Sequence, residues 1–194
     1  MDWRSLNPYE VLAVVFSLVC VLLTIKENIW QWLVGIFGVI FYFIFYHQEK
    51  LYASKWLQLV FIALQIYGWY EWLHGGKDKG ELKISRTSSQ LNFLLASLAI
   101  AGTAAMAYGF AKFTDNASPL LDSAVTILSL IAQWMLAKKY LENWLVWIAV
   151  NLLTIALGIR QKLYPTAGLY VIFFILAILG FLEWQKSYKN LQRA

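Results

Sequence analysis

Residues 32–52 read WLVGIFGVIFYFIFYHQEKLY, and residues 144–164 read WLVWIAVNLLTIALGIRQKLY. Sliding the chain by 112 positions, with no gap, lays the second stretch on the first. The same register carries on to pair Gly68 with Gly180, Glu71 with Glu183 and Trp72 with Trp184. Fifteen of the 46 positions from Trp32 to Lys77 meet an identical residue, and Ser17, Leu18 and Lys26 extend the match toward the amino terminus. Apolar composition alone yields Leu and Ile coincidences, but not Trp, Lys, Tyr, Gly and Glu in one register. The chain is an internal duplication.

What is duplicated is a set of membrane helices. Of 194 residues 60% are hydrophobic and 14% charged, and the mean hydropathy is +0.58. A soluble domain carries roughly 45–50% apolar and 25% charged residues. Seven apolar runs stand out: Pro8–Ile25, Ile29–Tyr46, Leu51–Leu73, Leu91–Ala111, Pro119–Ala137, Asn143–Ile159 and Tyr164–Trp184. Their lengths and the lack of period-2 alternation favour helices over barrel strands, and lipid offers backbone groups no other partner. The expected fold is an all-α membrane protein with seven transmembrane helices. Two parallel three-helix repeats flank a fourth, connecting helix, a 3+1+3 arrangement. The corresponding divisions are 1–73, 74–118 (a basic loop and the connector) and 119–194. Ala99, Gly102, Thr103, Ala104, Ala105 and Ala107 suit the connector to close packing.

The polar residues narrow the function further. Lys and Arg number six on the amino-terminal side of the spans and ten on the other, so the amino terminus is expected outside and the carboxyl terminus in the cytoplasm. Basic residues confined to short loops argue for orientation in a bilayer and against nucleic acid. Around the start of the first run stand Asp2, Arg4 and Glu10, which read as the flank of a retained helix rather than of a signal peptide. The single cysteine, Cys20, lies within an apolar run, and His47 and His74 flank spans. Neither metal nor cofactor is expected. Glu10, Lys55, Glu71, Asp122 and Glu183 are the charged residues within the runs, each near an end, whereas pumps keep such groups near mid-membrane. Without nucleophile or phosphate-loop motifs, an enzyme is not expected either.

Parallel repeats are one transporter plan, with the substrate between the halves near mid-membrane. Both copies need packing residues, but an asymmetric ligand needs polar groups in one copy only. The register finds them directly. Asn151 meets Val39, Thr154 meets Tyr42 and Gln133 meets Val21, while Gln58 meets Tyr170 and Gln65 meets Ala177. Helical spacing gathers them into stripes: Trp144, Trp147, Asn151 and Thr154; Asp122, Thr126, Ser129 and Gln133; and Gln58, Gln65, Trp69 and Trp72. The candidate substrate-binding residues are Trp147, Asn151, Trp144, Gln133, Gln58, Gln65, Trp69 and Thr154. The plainer reading of Asn151 is inter-helix glue worth about 1 kcal/mol. Trp32, Trp72, Trp144 and Trp184 match between copies near span ends, as an interfacial aromatic belt would. Glu71 and Glu183 read as structural or gating charges.

Glu142-Asn143-Trp144-Leu145-Val146-Trp147 followed by Asn151, Ile66-Tyr67-Gly68-Trp69-Tyr70-Glu71-Trp72 before Gly75-Gly76, and Lys50-Leu51-Tyr52-Ala53 together resemble the PnuC family of bacterial vitamin B transporters. The resemblance covers essentially the whole chain. It implies a SWEET-like fold in the bacterial inner membrane and uptake of nicotinamide riboside by facilitated diffusion, with trapping by a cytoplasmic kinase. Thiamine, riboflavin and deoxynucleosides are further cargoes of the family. A non-transporting membrane receptor or scaffold is the reading from another class, and assembly of several copies stays open.

Overall fold

The structure, a computed structural model, describes residues 7–50, 52–115 and 117–193. Asp2, Arg4 and Leu51, which entered the sequence reading, lie outside them. Seven α-helices follow one another: α1 (Pro8–Ile25), α2 (Gln31–Gln48), α3 (Tyr52–His74), α4 (Ser89–Phe113), α5 (Pro119–Ala137), α6 (Asn143–Arg160) and α7 (Tyr164–Arg193). Six are long and apolar enough to cross a membrane. The seventh, α3, has 23 residues and carries Lys55, Gln58, Gln65 and Glu71 along its length.

The helix ends follow from local chemistry. Pro8 occupies the first turn of α1, where a missing N–H costs nothing, and the Asn7 side chain accepts a hydrogen bond from Tyr9 N–H at 3.0 Å. The apolar run opening at Ile29 becomes helix only from Gln31. Asn28 first closes a turn on itself, its Oδ1 accepting from Trp30 N–H at 3.0 Å. Past Trp184 the apolar pattern stops but α7 runs on to Arg193, through helix-forming Gln and Lys. There Gln192 Nε2 donates to Tyr188 Oη at 2.7 Å.

Where helices stop, the two copies stop alike. After α1, Glu27 N–H bonds Thr24 O and Asn28 N–H bonds Leu23 O; after α5, Lys139 N–H bonds Leu136 O and Tyr140 N–H bonds Met135 O. Each is a Schellman closure with a left-handed residue just past the helix, here Glu27 at φ 53° and Lys139 at φ 51°. Lys50 and Lys162, both at φ 60° or within a degree of it, are likewise left-handed just past α2 and α6. Glycine is the usual occupant. The chain instead accepts Cβ crowding and keeps a charge at each end.

The chain forms two compact units, divided between Lys83 and Ile84. In the first, α2 packs against both α1 and α3. In the second, α5 packs against α4 and α6, and α6 against α5 and α7. Gly102 of α4 lies against Ile127 of α5, where an added Cβ would come within 3.3 Å. Each unit is held by the same device. Trp32 stands edge-on to Trp72 (5.3 Å, 89°) and Trp144 edge-on to Trp184 (5.6 Å, 89°). The Trp32 ring covers Gly68, and the Trp144 ring covers Gly180.

These four tryptophans are therefore not a belt at the membrane surface. They are at most 3% exposed, because a glycine on the facing helix leaves room for an indole inside the unit. Among the described residues nothing accepts from Trp32 or Trp144 Nε1, so contact alone holds the rings. In lipid that is the expected force, since close packing rather than water exclusion joins helices. Gly68→Ala and Gly180→Ala should each lower the thermal unfolding midpoint in detergent, an overpacking cost of about 1–3 kcal/mol. Gly109→Ala and Gly168→Ala, with nothing within 4 Å of the new methyl, should hold or raise it. Equal effects at all four would contradict the packing account.

Candidate functional site

One face of α6 collects the polar and aromatic residues. Asn151 and Thr154 are buried at 5% and 8% exposure and Trp144 is buried with them, while Trp147 is half-buried. Leu145, Leu152 and Ile159 form the opposite, exposed face. Thr154 Oγ1 donates back to Val150 O at 2.8 Å, so its proton is already used within the helix. Asn151 differs. Among the described residues no group bonds its amide, and neither amide atom is sealed from solvent. An unmet amide within a span costs several kcal/mol unless water or a ligand meets it.

On α5, packed against α6, Gln133 is buried and likewise unbonded among the described residues. Ser123, below it, has its Oγ sealed without a partner. It stands where the first copy has Val11, a one-sided polar residue that the stripes overlooked and the same register reveals. In the first unit, Gln58, Gln65 and Trp69 lie along α3. Gln58 Nε2 donates to Ser54 O at 3.3 Å, and Trp69 is half-buried.

Gln65 exposes a compensation between the copies. Its amide lies over Gly35 of α2, so close that a Cβ on Gly35 would come within 2.9 Å of the Gln65 carbonyl oxygen. That oxygen is sealed and unpaired among the described residues. In the second copy the position of Gly35 is Trp147 and that of Gln65 is Ala177, the latter 2% exposed. Large and small have changed places. The first unit sets a polar side chain from its third helix over a glycine of its second; at the matching positions the second copy carries an indole on α6 and an alanine on α7. Comparing aligned positions as partners, and not singly, brings this out of the sequence.

A cleft of about 330 Å³ opens elsewhere in the second unit, between α4, α5 and α6. Asn92, Ala99, Ile131, Met135, Glu142 and Leu145 are among its lining residues, and it includes none of the eight candidates.

A helical membrane protein, built twice from one three-helix pattern and carrying buried polar side chains unequally between the copies, has the construction of a transporter rather than an enzyme. Residues 7–186 match the family described as nicotinamide mononucleotide transporter. The chain belongs to that family, the PnuC transporters. It is 28% identical to the nicotinamide riboside transporter PnuC of Escherichia coli (strain K12), over 94% of this chain and 87% of that protein. With the riboflavin/roseoflavin transporter RibM of Streptomyces davaonensis it shares 26% identity, over 88% and 81%. A crystal structure of the vitamin B3 transporter PnuC superposes with a TM-score of 0.75 at 25% identity, covering 94% of this chain and 82% of that one.

The contrast between an open and a sealed polar group is measurable. In a Cys20→Ala background, Asn151→Cys should react with a small methanethiosulfonate reagent about tenfold faster or more than Ser123→Cys, since only an accessible thiolate reacts. Equal rates would place Asn151 in closed packing.

Proposed function

We propose that the protein takes up nicotinamide riboside by facilitated diffusion, with a cytoplasmic kinase holding the cargo inside by phosphorylation. The observation that carries this reading is Asn151, whose amide is buried yet unbonded among the described residues, one helical turn from Trp147. Nicotinamide riboside presents a cationic pyridinium ring and a carboxamide. An indole face attracts such a ring by about 0.5–2 kcal/mol, and an asparagine side chain can both donate to and accept from a carboxamide. Gln133, Gln58, Gln65, Thr154, Trp144 and Trp69 are proposed to complete recognition, the amides meeting ribose hydroxyls and the rings walling the site.

A neutral site that holds a cation by ring faces also releases it readily, which suits two-way exchange. The ionisable residues of the spans sit near their ends, which leaves no charge relay to couple transport to protons. The excess of Lys and Arg on one side supports a bacterial inner-membrane protein with an outside amino terminus and a cytoplasmic carboxyl terminus. The likeness to RibM supports a second reading, a riboflavin carrier. Thiamine, another flat cationic ring, fits the same contacts.

Purified protein in liposomes without kinase or ATP should bring labelled nicotinamide riboside to the outside concentration and no further. Accumulation above that level would refute diffusion. Among nicotinamide riboside, thiamine, riboflavin and deoxynucleosides, the cargo should raise the unfolding midpoint most at equal concentration, because stabilisation grows with the logarithm of ligand excess over Kd. A larger shift with riboflavin would replace the proposed substrate. Asn151→Leu should cut uptake tenfold or more with helicity unchanged; normal uptake would remove Asn151 from the site.

A further inference from the structure

The turn from α5 to α6 is gripped from outside. Residues 84–88, which lead into α4, lie alongside residues 138–142. Ser85 N–H donates to Lys139 O at 3.1 Å and Leu141 N–H donates to Ser85 O at 2.9 Å, a single parallel bridge between Ser85 and Tyr140. Ile84 and Leu141 are buried beside it, at 4% and 1% exposure. Glu142 then takes a donor on each carboxylate oxygen. Arg86 Nε donates to Oε1 at 3.0 Å and Thr87 N–H donates to Oε2 at 3.0 Å. The next residue, Ser88, caps α4 by accepting from Leu91 N–H at 3.2 Å.

Glu142 immediately precedes α6 yet makes no side-chain bond to the first turn of its own helix. The carboxylate reaches across instead and ties the start of α4 to the start of α6. Its Arg86 partner is mostly exposed, but Glu142 itself keeps only 15% of its side chain open. Two charge-assisted donors on a largely covered carboxylate make a stronger tie than an exposed ion pair does. In the first copy the same position is Trp30, 57% exposed, whose backbone N–H donates to Oδ1 of the neighbouring Asn28.

We propose that Glu142 is a positioning residue for transport. Its carboxylate joins residues 84–88, the start of α4 and the α5–α6 turn into one rigid piece, so that α4 follows α6 whenever α6 moves. Asn151 and Trp147 lie beyond the tie along α6, so it governs the rate of exchange and leaves substrate affinity alone.

The rate half of the test rests on nicotinamide riboside being carried; amide exchange does not. In the wild-type protein, the amides of Ser85, Thr87 and Leu141 should exchange with deuterium tenfold or more slowly than that of Trp30. Equal exchange would overturn the tie whatever the cargo is. In liposomes, Glu142→Ala should slow equilibration of labelled nicotinamide riboside about tenfold and Arg86→Gln about threefold. The double variant should match Glu142→Ala, because both changes remove one contact. The Kd for nicotinamide riboside should change less than twofold in all three. Additive losses, an unchanged rate, or a Kd that moves in step with the rate would each overturn the positioning role. If no protein equilibrates the label while the amides remain protected, the cargo assignment fails and the tie stands.

Discussion

An indole resting on a glycine is the contact from which this structure is built. Helices in a bilayer gain nothing from hiding apolar surface, since lipid is as apolar as leucine, so they associate where backbones can come close or large rings can seat. Trp32 on Gly68 and Trp144 on Gly180 provide that seat twice, each completed by an edge-on second tryptophan. The contact fixes α2 on α3 and α6 on α7 at matching heights. It also tolerates an unpaired indole N–H in both copies among the described residues, which shows that shape prevails over hydrogen bonding at this place.

With the scaffold held by shared residues, the unshared ones are free to differ. The exchange of Gly35 and Gln65 for Trp147 and Ala177 reverses which helix supplies the large side chain and changes amide for indole. Asn151 in place of Val39 and Gln133 in place of Val21 add amides unbonded among the described residues to the second copy alone. The same inequality reaches the helix ends, where Glu142 binds Arg86 and Thr87 and its counterpart Trp30 stands exposed.

Much of this was legible in the sequence, and the failures have physical causes. The bounds of α1 and α5 follow directly from Pro8, Pro119 and the ends of the apolar runs. The far end of α7 does not, because hydropathy reports the hydrocarbon thickness and not where hydrogen bonding stops. Trp32, Trp72, Trp144 and Trp184 have the spacing of a surface belt, and only the glycines opposite them reveal that they turn inward. Lysines past α2, α5 and α6 carry no sign of a left-handed cap, since glycine is the usual mark. The tie at Glu142 joins residues more than fifty apart, a distance over which periodicity is silent. Asn151 stands out in the register as a polar residue without a twin.

The account comes down to the claim that Asn151 and Trp147, residues lacking a counterpart, hold the ring of the cargo. A structure determined with nicotinamide riboside bound tests it most directly. The pyridinium ring should stack on Trp147 with its carboxamide within hydrogen-bonding distance of the Asn151 amide. A ring seated instead on residues common to both copies, with Asn151 facing lipid or a neighbouring helix, would contradict it.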